Sequence, residues 1–224
     1  MLNCNFYNPS ILYANIKKGR IKVNGIGVVK TQPNIAIISL GVVTENKNLE
    51  VAQGENAEIS TKVINGLKDM GIPNKDISTK NYTIEPQYDY VEGKQIFRGY
   101  KVTNILNVTI RDINRVGEII DTSVKNGVNV IDNIKFTIDN MSTYYSKALN
   151  LAVKDAMRKA VEIGNTLKVN VNEIPTSIVE ESYEEIIPQA TMVKMYSSST
   201  PIMPGEINIT AKIESIFNYS SYMY

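Results

Sequence analysis

The sequence predicts an α+β fold, with a ferredoxin-like βαββαβ plait and a second small α+β unit made from the N- and C-terminal segments. Residues 34–139 show strand and helix periodicity in the order strand, helix, strand, strand, helix, strand. A long helix with alanine at every fourth position follows the plait. Strand-like patterns at 20–30 and 206–217 lie near opposite ends of the chain, and we expect them to join that helix in the second unit.

The composition excludes several classes of chemistry. The chain has 224 residues, no histidine, no tryptophan and one cysteine, Cys4. Without histidine there is no Ser-His-Asp triad, and one cysteine permits neither an intrachain disulfide nor a CxxC motif. The net charge of +1 gives no overall field that attracts nucleic acid. The sequence contains no run of 18 apolar residues, which is about the length that a membrane-spanning helix needs. We therefore predict no cofactor, no metal, no nucleic-acid partner and no membrane span.

The first strand, 20–30, carries two glycines. Gly25-Ile26-Gly27 resembles the start of a dinucleotide-binding fingerprint, but Lys30 occupies the position of the third glycine and a turn follows instead of a helix. We expect Gly25 and Gly27 to mark a bulge or a close approach of another backbone.

The first half of the plait is a buried strand followed by an amphipathic helix. Residues 35–44 are nearly all apolar and rich in β-branched side chains, as in a strand buried on both faces. The helix spans 48–70 and stops at Gly71, because glycine adopts the left-handed conformation that ends a helix and Pro73 cannot continue it. Its predicted core stripe is Ala52, Ile59, Val63, Leu67 and Met70.

A tyrosine-rich hairpin forms the centre of the plait. A turn at 92–94 joins a strand at 79–91 to a strand at 96–111. Pro86 predicts that the first of these strands is an edge strand or is bulged. Alternation places the tyrosines on one face, which either contacts a ligand or protein partner, or packs beneath the two plait helices. The candidate surface consists of Tyr82, Tyr88, Tyr90 and Tyr100.

The second half of the plait is a helix at 112–126 and a strand at 131–138. Asp112 caps the helix and Gly127 stops it. We expect its buried stripe to be Ile113, Val116, Ile120 and Val124. The inward residues of the strand are predicted to be Ile134, Phe136 and Ile138.

The second unit is built around the helix at 142–167. Its stripe of small residues lets another backbone approach closely. A strand at 173–185, a long loop at 188–204 and the alternating strand at 206–217 follow. The stripe consists of Ala148, Ala152, Ala156, Ala160 and Gly164. The predicted domains are an N-terminal arm at 1–19, the α+β unit at 20–33 and 140–217, the plait at 34–139 and a C-terminal tail at 218–224.

Charged clusters give no strong sign of a site. The basic run at 17–22 lacks the further charge and aromatic interleaving of a nucleic-acid interface, so we interpret it as solvated. The acidic cluster at 180–185 lacks the spacing of a calcium-binding loop. Asp89 and Glu85 are the candidate carboxylates of an enzyme, but nothing in their spacing supports a catalytic pair.

Six short motifs, in a specific order and spacing, lie at 23–28, 71–79, 82–90, 99–102, 148–160 and 201–206. On these motifs the chain resembles the SIMPL-domain family, also described as an outer-membrane or periplasmic immunogenic protein family. The resemblance covers residues 21–217. It implies an α+β fold, a tendency to self-assemble, and links to the bacterial envelope or to oxidative stress, and it supplies no catalytic residues.

We therefore expect a non-enzymatic, self-associating SIMPL-domain protein with a structural, scaffold or stress-related envelope-type role. Its first partner would be a second copy of itself, and a further protein partner is open. The alternative is a ligand-binding module that uses the tyrosine face for a peptide or an envelope glycan. No signal peptide is visible, which indicates the cytoplasm for the chain as it stands, whereas the family that it resembles is often periplasmic.

Overall fold

The computed structural model describes residues 16–181, 202 and 204–222. These residues form a mixed α+β structure with two antiparallel sheets and three helices, which confirms the predicted α+β class. The chain divides into two compact units. The central unit takes in residues 30–141, and the terminal unit contains the first strand, the third helix and the last strands.

The central unit is one sheet with two helices. Its strands lie in the order β3-β4-β2-β5, and every neighbouring pair is antiparallel. The edge position of β3 agrees with the expectation from Pro86. The elements are β2 (Ile35–Asn46), α1 (Leu49–Asp69), β3 (Ile77–Val91), β4 (Lys94–Ile110), α2 (Val116–Lys125) and β5 (Val130–Thr137).

The core of the central unit is aliphatic and lies between α1, α2 and one face of the sheet. Val63 and Leu67 of α1 pack with large side chains of all four strands and α2. Two buried polar residues of α1 were not expected: the amide of Asn56 donates to the carbonyl oxygens of Val42 (2.9 Å) and Val102 (3.2 Å), and the Ser60 hydroxyl donates to Asn56 Oδ1 (3.3 Å). The helix thus anchors to two strands by hydrogen bonds.

One predicted core position on α2 is wrong. Val124 is 51% exposed, whereas Ile119 is fully buried. Asp112 caps a 3-10 turn at Ile113–Arg115 through the Asn114 amide (3.1 Å), and the α-helix begins after it. The reason for the difference is the helical period: residues four apart advance by about 40° around the axis, so Val124 lies about 80° from Val116 and leaves the buried face.

The terminal unit packs α3 on a four-stranded sheet. The order is β1-β8-β6, with β7 also paired to β8. β1 begins before and β8 continues past the predicted strand ends. The elements are β1 (Ile16–Thr31), α3 (Met141–Leu167), β6 (Asn170–Val171), β7 (Ser177–Glu180) and β8 (Ile207–Tyr222).

The predicted strand at 173–185 is shorter in the structure. Two features interrupt strand pairing before β7. Asn172 Oδ1 accepts from the Ile174 amide (3.1 Å) in an Asx turn, and Pro175 has no amide hydrogen to donate. The remainder of that strand and nearly all of the predicted loop at 188–204 lie outside the described residues.

The small-residue stripe of α3 packs against the two glycines of β1, which confirms the expected close approach. All five predicted stripe residues are buried. A Cβ atom added to Gly25 would overlap the Ala152 carbonyl oxygen, and one added to Gly27 would overlap that of Ala148. The two backbones are therefore closer than any other residue type on β1 would allow.

Polar side chains of α3 also hold β1. Asp155 accepts from the Ile26 amide (3.0 Å), and Lys159 donates to the Asn24 carbonyl oxygen (2.8 Å). Asp155 also pairs with Lys159 and Arg158, both at 2.7 Å. The hydrogen bond from Lys159 is the largest reason why the pKa of the Asp155 carboxyl falls from 3.8 to about 2, and the Ile26 amide and Arg158 lower it further.

Candidate functional site

The candidate surface runs along the β3–β4 hairpin, and Tyr88 and Tyr90 lie on its distal part. The last residue of β2, Asn46, pairs with Tyr100, so the hairpin beyond that point has only two strands. Glu92 and Gly93 form its two-residue turn with φ angles of 50° and 78°. Positive φ at both positions gives the turn whose twist matches paired strands. We call the two-stranded part, residues 87–99, the hairpin arm.

The four predicted tyrosines occupy the face that alternation assigned to them. Tyr82, Tyr88 and Tyr90 are 46%, 44% and 74% exposed, and Tyr100 is half-buried. Tyr100 lies opposite Pro86, whereas Tyr90 lies opposite Gln95. Tyr90 and Tyr100 therefore share a face without being direct cross-strand partners. Three of the four rings are therefore open to solvent, although they lie on the same sheet face as the core residues Val102 and Leu106.

Phe97 belongs to the same surface and was not predicted. The register shifts between Gln87 and Tyr88, so that Tyr88 pairs with Phe97. The extra residue, Arg98, brings the odd-numbered Phe97 onto the face of the even-numbered Tyr100. Phe97 makes edge-to-face contacts with Tyr88 (5.8 Å between ring centroids) and Tyr100 (5.2 Å). Gly99 is the sequence feature that could have predicted this bulge, because a glycine inside a strand pattern often marks one.

The opposite face of the arm carries both charged and aliphatic side chains. Arg98 forms ion pairs with Glu45 (3.0 Å) and Asp89 (3.7 Å). Glu85 lies directly across from Lys101 in the register. Both candidate catalytic carboxylates, Asp89 and Glu85, therefore lie on the face away from the tyrosines, and each has a cationic neighbour. The arm thus has one aromatic face and one face on which charged residues alternate with the exposed aliphatic residues Val91 and Ile96.

The described parts of the other clusters considered from sequence contain no arrangement that could hold a metal ion. Within residues 16–181, 202 and 204–222, no group of three histidine, cysteine, aspartate or glutamate side chains is arranged to hold a metal ion. Glu184 and Glu185 lie outside the described residues. Lys18, Arg20 and Lys22 alternate on the exposed face of β1. None of the described helices has the length and hydrophobicity needed to cross a bilayer.

Comparison with known proteins identifies the family of this chain. The family model described as "SIMPL: Protein of unknown function (DUF541)" matches residues 21–217. The chain belongs to the SIMPL family. This confirms the resemblance seen in the motifs.

Curated relatives of this SIMPL-family chain cover most of its length. It is similar to the 26 kDa periplasmic immunogenic protein of Brucella melitensis, with 28% identity over 88% of this chain and 84% of that protein. It is also similar to the uncharacterized protein YggE of Escherichia coli K12, with 26% identity over 87% of this chain and 78% of that protein. A third relative is the uncharacterized protein YggE of Edwardsiella ictaluri, with 23% identity over 94% of this chain and 92% of that protein.

Proposed function

We propose that this SIMPL-family chain is a non-enzymatic structural protein of the cell envelope that associates with copies of itself through the aromatic face of the hairpin arm. The observation that carries the proposal is the exposure of Tyr90 and its neighbours on a projecting two-stranded arm. Large aromatic side chains are enriched at the cores of protein interfaces, and a contiguous exposed apolar patch of this kind is typical of one.

Two further features support self-association. A two-stranded hairpin is marginally stable without support from a third strand or a packed layer, so contacts with a second copy would stabilise the arm. β3 is also an edge of its sheet, and edge strands present unpaired N–H and C=O groups to another chain. The predicted ferredoxin-like plait is consistent with the strand order β3-β4-β2-β5 and with one helix between β2 and β3 and one between β4 and β5.

The envelope location rests on the Brucella relative, whose name calls that protein periplasmic. The stress-related role that the resemblance implies stays a prediction. The absence of histidine and the separation of Asp89 and Glu85 from the aromatic face favour a non-enzymatic role.

The test is the mass in solution by light scattering after size exclusion. We expect a discrete multiple of 25.0 kDa for the wild-type chain, and the monomer mass for the double variant Tyr88→Ala, Tyr90→Ala. Ile174→Ala is the matched control, because Ile174 is 74% exposed, as Tyr90 is, but lies in the terminal unit. A wild-type monomer at high concentration, or a double variant with unchanged mass, would contradict the proposal.

The exposure of Tyr82, Tyr88 and Tyr90 also favours the alternative, a module that binds a peptide or an envelope glycan by stacking on these rings. Calorimetric titration with muramyl dipeptide distinguishes the two. Binding by a monomeric wild-type chain that is lost in Tyr90→Ala would support the module, and no binding by a defined oligomer would leave self-association as the function.

A further inference from the structure

Among the described residues, two cationic side chains on the exposed face of β1 have no acidic partner. Lys18, Arg20 and Lys22 alternate along the strand, so all three share one face. Lys22 is neutralised by Glu214 at 2.7 Å. Within the part of the chain that the structure describes, neither Lys18 nor Arg20 forms an ion pair. Their Cα atoms are about 7 Å apart along an extended strand, close enough for both to contact one small ligand.

These two residues line a cavity of about 470 Å³ in the terminal unit. The pairing of β6 with β8 places Asn170 opposite Ser220, and the Asn172 amide donates to the Asn218 carbonyl oxygen (2.8 Å). The charged and polar lining side chains include no carboxylate. They are Lys18, Arg20, Asn170, Asn172, Asn218, Tyr219 and Ser220. The cavity volume lies in the range of small-molecule sites, which is about 300–1,000 Å³.

The donor chemistry of this cavity specifies a class of ligand. Lysine and arginine supply charge-assisted hydrogen bonds to an oxyanion. Asparagine amides and a serine hydroxyl both donate and accept, as recognition of hydroxyl groups requires. The charge of +2 on Lys18 and Arg20 matches the charge of about −1.5 to −2 that a phosphate monoester carries at neutral pH. A bare phosphate would leave most of the cavity unfilled.

We propose that this cavity is a binding site for a phosphate monoester carried on a sugar or similar polyol. Lys18 and Arg20 contact the phosphate, and the three asparagines with Ser220 contact the hydroxyl groups. The site lies in the terminal unit, whereas the aromatic face belongs to the central unit. The proposal therefore does not depend on self-association.

The test is isothermal titration calorimetry of the full chain with glucose 6-phosphate, inorganic phosphate and glucose. We expect glucose 6-phosphate to bind about tenfold or more tightly than glucose, because only the ester has the charged group. A parallel arm uses phosphatidylcholine vesicles with and without phosphatidylinositol phosphate. Binding of glucose 6-phosphate assigns the site to a soluble ester, and binding of the phosphoinositide vesicles alone assigns the same chemistry to a lipid headgroup.

Three variants locate the binding. The double variant Lys18→Gln, Arg20→Gln should weaken binding of the phosphate ester about tenfold or more, since two charge-assisted bonds are lost. Asn218→Asp adds a negative charge to the cavity at nearly constant volume and should weaken it similarly. Lys22→Gln is the matched control, because Lys22 shares the strand and the face but pairs with Glu214 outside this cavity, and its affinity should change less than about twofold.

Three results would overturn the proposal. One is the absence of binding to every phosphate probe. Another is equal affinity for glucose and glucose 6-phosphate, which would mean that no anion is recognised. The third is an affinity that both the Lys18, Arg20 double variant and Asn218→Asp leave unchanged while their thermal unfolding matches the wild type.

Discussion

The two units pack their helices on their sheets in opposite ways. In the terminal unit every buried position of α3 is alanine or glycine, and β1 meets it with Gly25 and Gly27. In the central unit, α1 and α2 bury branched aliphatic side chains such as Leu67 and Ile119 in a filled core. The packing of α3 on its sheet depends on the absence of large side chains, whereas the packing of α1 and α2 depends on side-chain volume. The same α-on-β arrangement should therefore fail under opposite substitutions.

The largest effect is expected where the terminal unit gains a single methyl group. Gly27→Ala places a Cβ against the Ala148 carbonyl oxygen, and neither backbone can yield without breaking the layer. We expect a loss of roughly 4 kcal/mol or more in the free energy of unfolding by urea. The control is Gly54→Ala on α1, where nothing lies within 4 Å of an added Cβ. That variant should gain about 0.5–1 kcal/mol from helix propensity. Equal stability of Gly27→Ala and wild type would show that the close approach is not required.

The central unit should instead be sensitive to the loss of volume. Leu67 is almost fully buried in the aliphatic core, so Leu67→Ala removes contacts and leaves a cavity. We expect the free energy of unfolding, measured by urea denaturation, to fall by about 3 kcal/mol. Val124→Ala on α2, at a half-exposed valine, should change the same quantity by less than about 0.5 kcal/mol. A loss below about 1 kcal/mol for Leu67→Ala would mean that this core relaxes around the cavity.

A smaller effect tests the polar contacts that hold β1 to α3. The pKa of Asp155 is lowered to about 2, chiefly by Lys159, so its stabilising contribution is complete above the unfolded value near 3.8 and is lost as the pH falls through about 2. Asp155→Asn should lower the free energy of unfolding by about 1–2 kcal/mol at pH 7, after allowance for solvent screening. The variant should also lose part of the pH dependence between about pH 4 and 2. An unchanged pH dependence would show that Asp155 is not the group responsible.

Periodicity was sufficient to predict every helix, most strands and the small-residue stripe of α3. It did not identify Asn56 and Ser60 as core residues, because polar side chains on a helix resemble a solvated face until their strand partners are known. It identified the tyrosine face but not Phe97, whose orientation depends on the extra residue at Arg98. The close approach at Gly25 and Gly27 and the grouping of β1 with α3 were expected, but the contact of Gly25 with Ala152 and of Gly27 with Ala148 follows from tertiary structure that local pattern does not encode.

The smallest effect is expected at Glu162, the second carboxylate that pairs with Arg158. Glu162 pairs with Arg158 at 2.8 Å, and both side chains are more than half exposed. Unlike Asp155, Glu162 makes no described hydrogen bond to the backbone of β1. Glu162→Gln should therefore change the free energy of unfolding by less than about 0.5 kcal/mol, and 0.5 M NaCl should abolish the difference, because exposed pairs are screened. If Glu162→Gln matched Asp155→Asn, the pairs with Arg158, and not the contact with the Ile26 amide, would account for the stability at this helix face.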